Sequence, residues 1–216
     1  MLRKILYYAF ALGVLAFSFI MLTKVIPYLS FERAINFLGT KTDDVLDKTH
    51  FMWAFYIHIT SSLLVMPLGV LQFSTYIARH KPSLHRIFGK VYVVVILALA
   101  APSGLVLASY ASAGLAAKVG FTLQSLVWWI VTYIAWQEAT QKRWLNHTNA
   151  MLRSFAVTLA AMSLRTESYI MYYYLDTKPI ETYLTVTWLS WVGNLLFVEI
   201  LIYIGLGRQL LKSIKS

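Results

Sequence analysis

The chain has 216 residues and no cysteine, with 59% hydrophobic residues, 13% charged residues and a mean hydropathy of +0.64. This balance excludes an ordinary soluble domain, and the missing thiols exclude disulfides, thiolate metal sites and cysteine nucleophiles. The formal charge of +10 calls for no nucleic acid, because anionic lipid head groups at a membrane surface are sufficient partners for it.

Apolar runs of about 20 residues cross a hydrocarbon core about 30 Å thick as helices. Six such runs occur, at 5–27, 51–77, 88–110, 119–139, 150–172 and 186–207. Strict two-residue alternation is absent, which argues against a barrel. The expected fold is all-α, a polytopic membrane bundle of six transmembrane helices. The links are too short for a folded unit, so 1–216 is expected to form a single integral membrane domain.

The first run starts with Arg3 and Lys4. Its length and the lack of a small-residue cleavage pattern read as a retained anchor rather than a signal peptide. The link at 28–50 spaces Phe31, Ala34, Ile35 and Leu38 on one helical face, which predicts a short interfacial helix. Asp43, Asp44 and Asp47 in the same link read as hydrated acids rather than a cation site. In the second run, His58, Ser62, Gly69, Gln72 and Tyr76 share a face at 3.6 residues per turn. His58 lies roughly 10 Å below the outer surface. It is either a buried histidine bonded to a neighbouring carbonyl or hydroxyl, or a ligand, proton carrier or substrate contact.

The basic stretch RHKPSLHRIFGK (79–90) leads into the third run, where His85, Gly89, Tyr92 and Ser103 share a face. Gly89 removes a side chain one turn from His85, as a helix needs where a flat macrocycle or another backbone approaches closely. Neutral imidazole ligates haem iron well. The plainer alternative is that His85, beside Arg86 and Lys90, touches lipid phosphates. A tight turn is expected at 111–118, and Trp128 and Trp129 in the fourth run read as packing.

A second basic stretch, QKRWLNHTNAMLR (141–153), leads into the fifth run. His147, Ser154, Thr158, Ala161 and Arg165 share a face, with Arg165 about 27 Å along the axis from His147 and so near the depth of His58. This suggests a His58–Arg165 pocket for a quinone head group or small anion, the alternative being an arginine that snorkels to the head groups. Glu167 lies on the far side of that helix and is a poor partner for Arg165. In the sixth run Asn194 and Glu199 are the polar points. A lone intramembrane carboxylate protonates or finds a cation, so Glu199 is expected to contact Arg153 or His147.

Charge predicts the orientation. With both termini and the 78–90 and 140–153 links on one side, that side carries Arg3, Lys4, Arg79, Lys81, Arg86, Lys90, Lys142, Arg143, Arg153, Arg208, Lys212 and Lys215 against Glu138 alone. On the other side cations and acids balance. The positive-inside bias makes the basic side cytoplasmic, so the expectation is a multi-pass inner-membrane protein with both termini inside.

The strings HITSSLLVMPLGVLQF, RHKPSLHRIFGKVYV, APSGLVLAS and HTNAMLRSFAVTLAAMSLR, in that order, resemble an uncharacterised bacterial membrane family, numbered 2306 among the domains of unknown function. The resemblance covers roughly residues 50–170. It maps the family's motif positions onto His58, Gln72, His85, Arg86, Gly89, Pro102, Gly104, His147, Arg153 and Arg165, and it implies fold and location without an activity. Where many relatives have a basic or aromatic residue after the last histidine, this chain has Thr148 and Asn149. The His-Arg-x-x-Gly start of the third run is also similar to ferric-reductase-like and other b-type cytochrome bundles. That looser likeness implies one haem b with His85 and His147 as axial ligands and Arg86 or Arg153 against the propionates. Electrons would pass to or from a quinone near His58, Gln72 and Arg165. The competing expectation is a non-redox permease or an accessory subunit of a membrane complex, with His58, Arg165 and Glu199 lining a path or sealing a contact. A non-redox enzyme finds no supporting motif.

Overall fold

The structure is a computed structural model describing residues 2–33 and 35–215, and it leaves the side chains of residues 2–4 and 215 undescribed. Ala34 and the expected inner charges of Arg3, Lys4 and Lys215 therefore lie outside the described residues. Every regular element among those described is helical. In chain order they are α1 (Leu2–Val25), a 3₁₀ turn at Ile26–Ser30, a second at Leu38–Thr40, α2 (Asp43–Leu46), α3 (Thr49–Gln72), α4 (Thr75–His80) and α5 (Pro82–Val95). A π turn at Ile96–Ala100 leads to α6 (Ala101–Ala108), followed by α7 (Leu115–Thr140), α8 (Trp144–Thr158), α9 (Ala160–Tyr174), α10 (Pro179–Tyr203) and α11 (Leu206–Lys215).

Five helical stretches are long and apolar enough to cross a membrane: Ile5–Ser30, Thr49–Gln72, Pro82–Ala108, Leu115–Thr140 and Pro179–Tyr203. The fifth run differs from expectation. It is divided at Leu159 into α8 and α9, of 15 residues each, and about 23 Å of helix falls short of a bilayer core. Its polar content explains the break. Asn194 of α10 donates from Nδ2 to the Ala156 carbonyl (3.1 Å) and accepts from Ser163 Oγ (2.9 Å). Thr158 Oγ1 donates back to the Ser154 carbonyl (3.0 Å). A side chain working into the ladder in this way is a recognised cause of helix breaks.

The other irregularity sits ahead of Pro102, whose ring offers no N–H to the turn before it. The wide turn at Ile96–Ala100 exposes carbonyls that side chains then cap. His58 Nδ1 donates to Ala100 O (2.9 Å), Trp129 Nε1 to Leu97 O (3.1 Å) and Ser103 Oγ to Leu99 O (2.6 Å). Trp129 is thus a backbone cap as well as packing. Trp128 likewise donates from Nε1 to Thr158 Oγ1 (3.1 Å).

The predicted interfacial helix over 31–38 does not form. Phe31 and Asn36 have φ of 58° and 46°, which interrupt it. Burial won over local periodicity there: Tyr28, Leu38 and Leu46 pack onto Phe51 and Phe55 of α3, folding the link into a cap. The cap is pinned by Arg33–Asp47 (2.7 Å) and by Lys41 Nζ, which donates to the Tyr110 carbonyl (2.8 Å). Burial, and after it the Lys118 charge, pushes the Lys41 ammonium below its ordinary pKa.

Between α3, α5, α7 and α8 the core holds a hydroxyl cluster. Tyr92 Oη lies 3.0 Å from Ser154 Oγ and 2.8 Å from Thr158 Oγ1, and Thr132 Oγ1 lies 2.7 Å from Ser154 Oγ. All four residues are buried. Nearby, Gly69 lets α3 approach α8: a Cβ there would collide with the Phe155 ring. Tyr92→Phe should therefore lower stability by about 1 kcal/mol, the usual scale for an interhelical hydrogen bond. Gly69→Leu should cost clearly more, both being read from unfolding in detergent.

Candidate functional site

His85 enters on the first turn of α5 and His147 on the first turn of α8, each just after a basic link. The two side chains line one cleft of about 300 Å³, together with Gln72, Phe73, Trp144 and Met151. That volume is at the small end for ligand sites. Leu210, Leu211 and Ile214 of α11 line it as well. The helix meets α8 where Gly207 sits against the Asn149 side chain, with no room for a Cβ.

The hydrogen bonds fix the chemistry of one ring. His147 Nδ1 lies 2.8 Å from the Ala135 carbonyl, and a carbonyl only accepts, so Nδ1 carries the proton and Nε2 presents a lone pair. This backbone clamp is the arrangement that orients metal-ligating histidines. His85 Nδ1 is buried and has no hydrogen-bond partner, so that ring also keeps unspent bonding capacity.

Gln72 lies at the α5 side of the cleft. With its amide oriented to satisfy both ends, its nitrogen donates to the His85 carbonyl (3.2 Å) and its oxygen accepts from the Gly89 N–H (3.0 Å). A Cβ on Gly89 would lie 3.0 Å from that amide. The gap at Gly89 is thus occupied by a glutamine side chain.

The remaining expected site residues lie elsewhere. Arg153 and Glu199 form a two-pronged pair joining α8 to α10, with Nη2 donating to Oε2 at 2.8 Å and Nε to Oε1. Glu199 accordingly takes Arg153, not His147, as its partner. Arg86 is exposed and reaches only toward Ser83 Oγ (3.5 Å). His58 is half-buried, spent on Ala100 O, and 3.4 Å from Ser103 Oγ. Arg165 is exposed, donates from Nη1 to Ala161 O of its own helix (2.8 Å) and pairs with no carboxylate among the described residues. Glu167 Oε2 is buried without a partner, as expected of a carboxylate on the other side of α9.

A haem can be tested against these positions. The two imidazoles share the cleft and are the residues that would hold its iron. The rest of the cradle does not fit: Gln72 fills the gap at Gly89, Arg153 is committed to Glu199, and no Lys or Arg among the described residues lines the cleft. Two features of the cleft were not singled out from the sequence. Met151 lies one turn beyond His147, and the i, i+4 spacing was the available signal. The apolar face of α11 lay hidden because the sixth run was read through to residue 207.

The family described as "Predicted membrane protein (DUF2306)" matches residues 55–202. The match covers more than half of the chain, and the chain belongs to that family. No curated protein and no solved structure matches it.

The Arg153–Glu199 pair is partly exposed, so its worth is modest. A double-mutant cycle on Arg153→Gln and Glu199→Gln should give a coupling of about 1 kcal/mol or less. Gln72→Leu should reduce stability and disturb the His85 turn, visible as a changed imidazole signal in NMR spectra of histidine-labelled protein.

Proposed function

We propose that this member of the family is an inner-membrane protein with both termini cytoplasmic, in which α8 and α9 together make the sixth crossing. Its working part is the two-imidazole cleft, and its activity is one-electron transfer between a metal centre there and a quinone. The single observation that carries the reading is the convergence of His85 and His147, from separate helices, in one cleft at the same end of the bundle. The Ala135 carbonyl supports it by holding His147 in the tautomer that leaves Nε2 free. Described cations at 79, 81, 86, 90, 142, 143, 153, 208 and 212 support the orientation, and anionic head groups are their natural partners.

Haem b is the centre that the cytochrome likeness implies. It would supply reversible one-electron chemistry, with His85 and His147 as its ligands. The quinone's place is the outer half, near His58 and Arg165. Since His58 donates from Nδ1 to Ala100 O, its Nε2 can only accept, which suits a quinol hydroxyl more than a quinone carbonyl. Arg165 retains donors for the carbonyl.

A second reading, a small-molecule permease or an accessory subunit, is favoured by a polar cleft of about 200 Å³ lined by Glu138, Asn146, Asn149 and Arg153. It offers charges of both signs to a polar solute and needs no metal.

Absorbance spectra of detergent-purified protein, expressed with ample haem and recorded oxidised and dithionite-reduced, decide the haem version. A Soret band that His85→Ala and His147→Ala each abolish and His58→Ala spares would put haem in the cleft. A preparation without any Soret band removes haem from the proposal.

A further inference from the structure

We infer that the cleft is a copper(I) site with His85, His147 and Met151 as its ligands. This rests on the reading of the cleft as a metal centre and names a different metal from the one the cytochrome likeness implies.

Three observations lead there. First, Met151 is buried and lines the same cleft as both imidazoles, four residues after His147 and so on the same face of α8. Imidazole suits copper, and a thioether is a soft ligand that selects Cu(I) over harder divalent ions. Second, no carboxylate is among the described residues that line it. Every candidate donor is neutral, so a monovalent ion leaves the least uncompensated charge in an apolar setting. A divalent ion in the same place would leave twice as much. Third, the imidazoles are prepared for a ligand. His147 is clamped through Nδ1 by the Ala135 carbonyl, while the buried Nδ1 of His85 has no partner within the protein. Leu210, Leu211 and Ile214 add apolar surface to the cleft wall, which lowers the polarity around a bound ion. The macrocycle cradle that a haem needs is the part that is missing, whereas a bare ion needs only the three donors.

The experiment uses the full-length protein in detergent, anaerobic and ascorbate-reduced, with Cu(I) delivered from a chromophoric chelator that competes for it. Zn(II) is titrated in parallel. A single Cu(I) retained against the chelator is expected, together with a copper–sulfur contribution in X-ray absorption. His85→Ala and His147→Ala should each lose the ion. Met151→Leu keeps the apolar volume and should weaken Cu(I) by at least the roughly tenfold that even an outer-sphere partner is worth, and should remove the sulfur contribution. Zn(II) should bind weakly and be indifferent to Met151→Leu. Unchanged elution and helicity of each variant separate ligand loss from misfolding. Copper binding no better than in buffer, or equal in Met151→Leu, overturns the inference. A Soret band together with no copper leaves the metal-centre reading standing and removes only the copper. Absence of both removes both.

Discussion

Hydrocarbon offers no hydrogen bonds, so each polar group this bundle carries toward its midplane has to be satisfied within the protein or left unsatisfied at a cost of several kcal/mol. Most of the chain's irregularity follows from that constraint. Pro102 leaves the α5–α6 helix with a wide turn, and the freed carbonyls are met by His58, Trp129 and Ser103. The break at Leu159 is held by Asn194, which bonds Ala156 and Ser163 across to α10. Each break in a backbone ladder thus also makes an interhelical bond. That is how a bundle gains specificity when the hydrophobic effect does not distinguish a neighbouring helix from lipid.

The hydroxyl cluster follows the same logic without any break. Thr132 can donate to Trp128 O, Ser154 to Thr132, Tyr92 to Thr158, and Thr158 to Ser154 O, while the Trp128 indole donates to Thr158. Every donor has an acceptor, and no member is charged. Such a set is a packing lock among α5, α7 and α8, and it fixes the depth at which His85 and His147 emerge from their helices. The cleft inherits its geometry from a core a few turns below it.

Class and span positions were legible in the sequence because length and hydropathy alone govern passage through a bilayer. The second, third, fourth and sixth runs correspond closely to α3, α5–α6, α7 and α10. The divided fifth run was not legible: its break depends on Asn194, a residue 35 positions after Leu159, and pattern reading along one helix is blind to a partner in another. Shared-face reasoning placed His147, Ser154 and Thr158 together and brought His85 to the same cleft as His147. It also found Glu199's partner, because an intramembrane carboxylate has few choices and Arg153 enters at its depth. It misread Gly89, since a missing side chain marks a close approach without saying what approaches; the visitor is Gln72. The link at 28–50 failed for a similar reason, as burial against α3 outweighed a weak helical period.

The contrast between satisfied and unsatisfied groups also separates structural histidines from the cleft pair. His58 is held by Ala100 and Ser103 and touches Gly104, where a Cβ would come within 3.1 Å of its ring. Its Nδ1 serves as a fastening between α3 and the wide turn. His147 is likewise fastened through Nδ1 alone, but it shares its cleft with His85, whose buried Nδ1 has no partner among the described residues. Other buried atoms without partners exist, on Tyr56, Gln124, Asn149, Glu167 and Ser190, but none of those residues lines the cleft that holds two imidazoles and a thioether. An unspent imidazole in apolar surroundings is costly to keep unless something else bonds it. The lining from α11 sharpens the point: its leucines and isoleucine offer His85 no hydrogen-bond partner. A ligand that bonds imidazole more strongly than water does is what such a cleft selects.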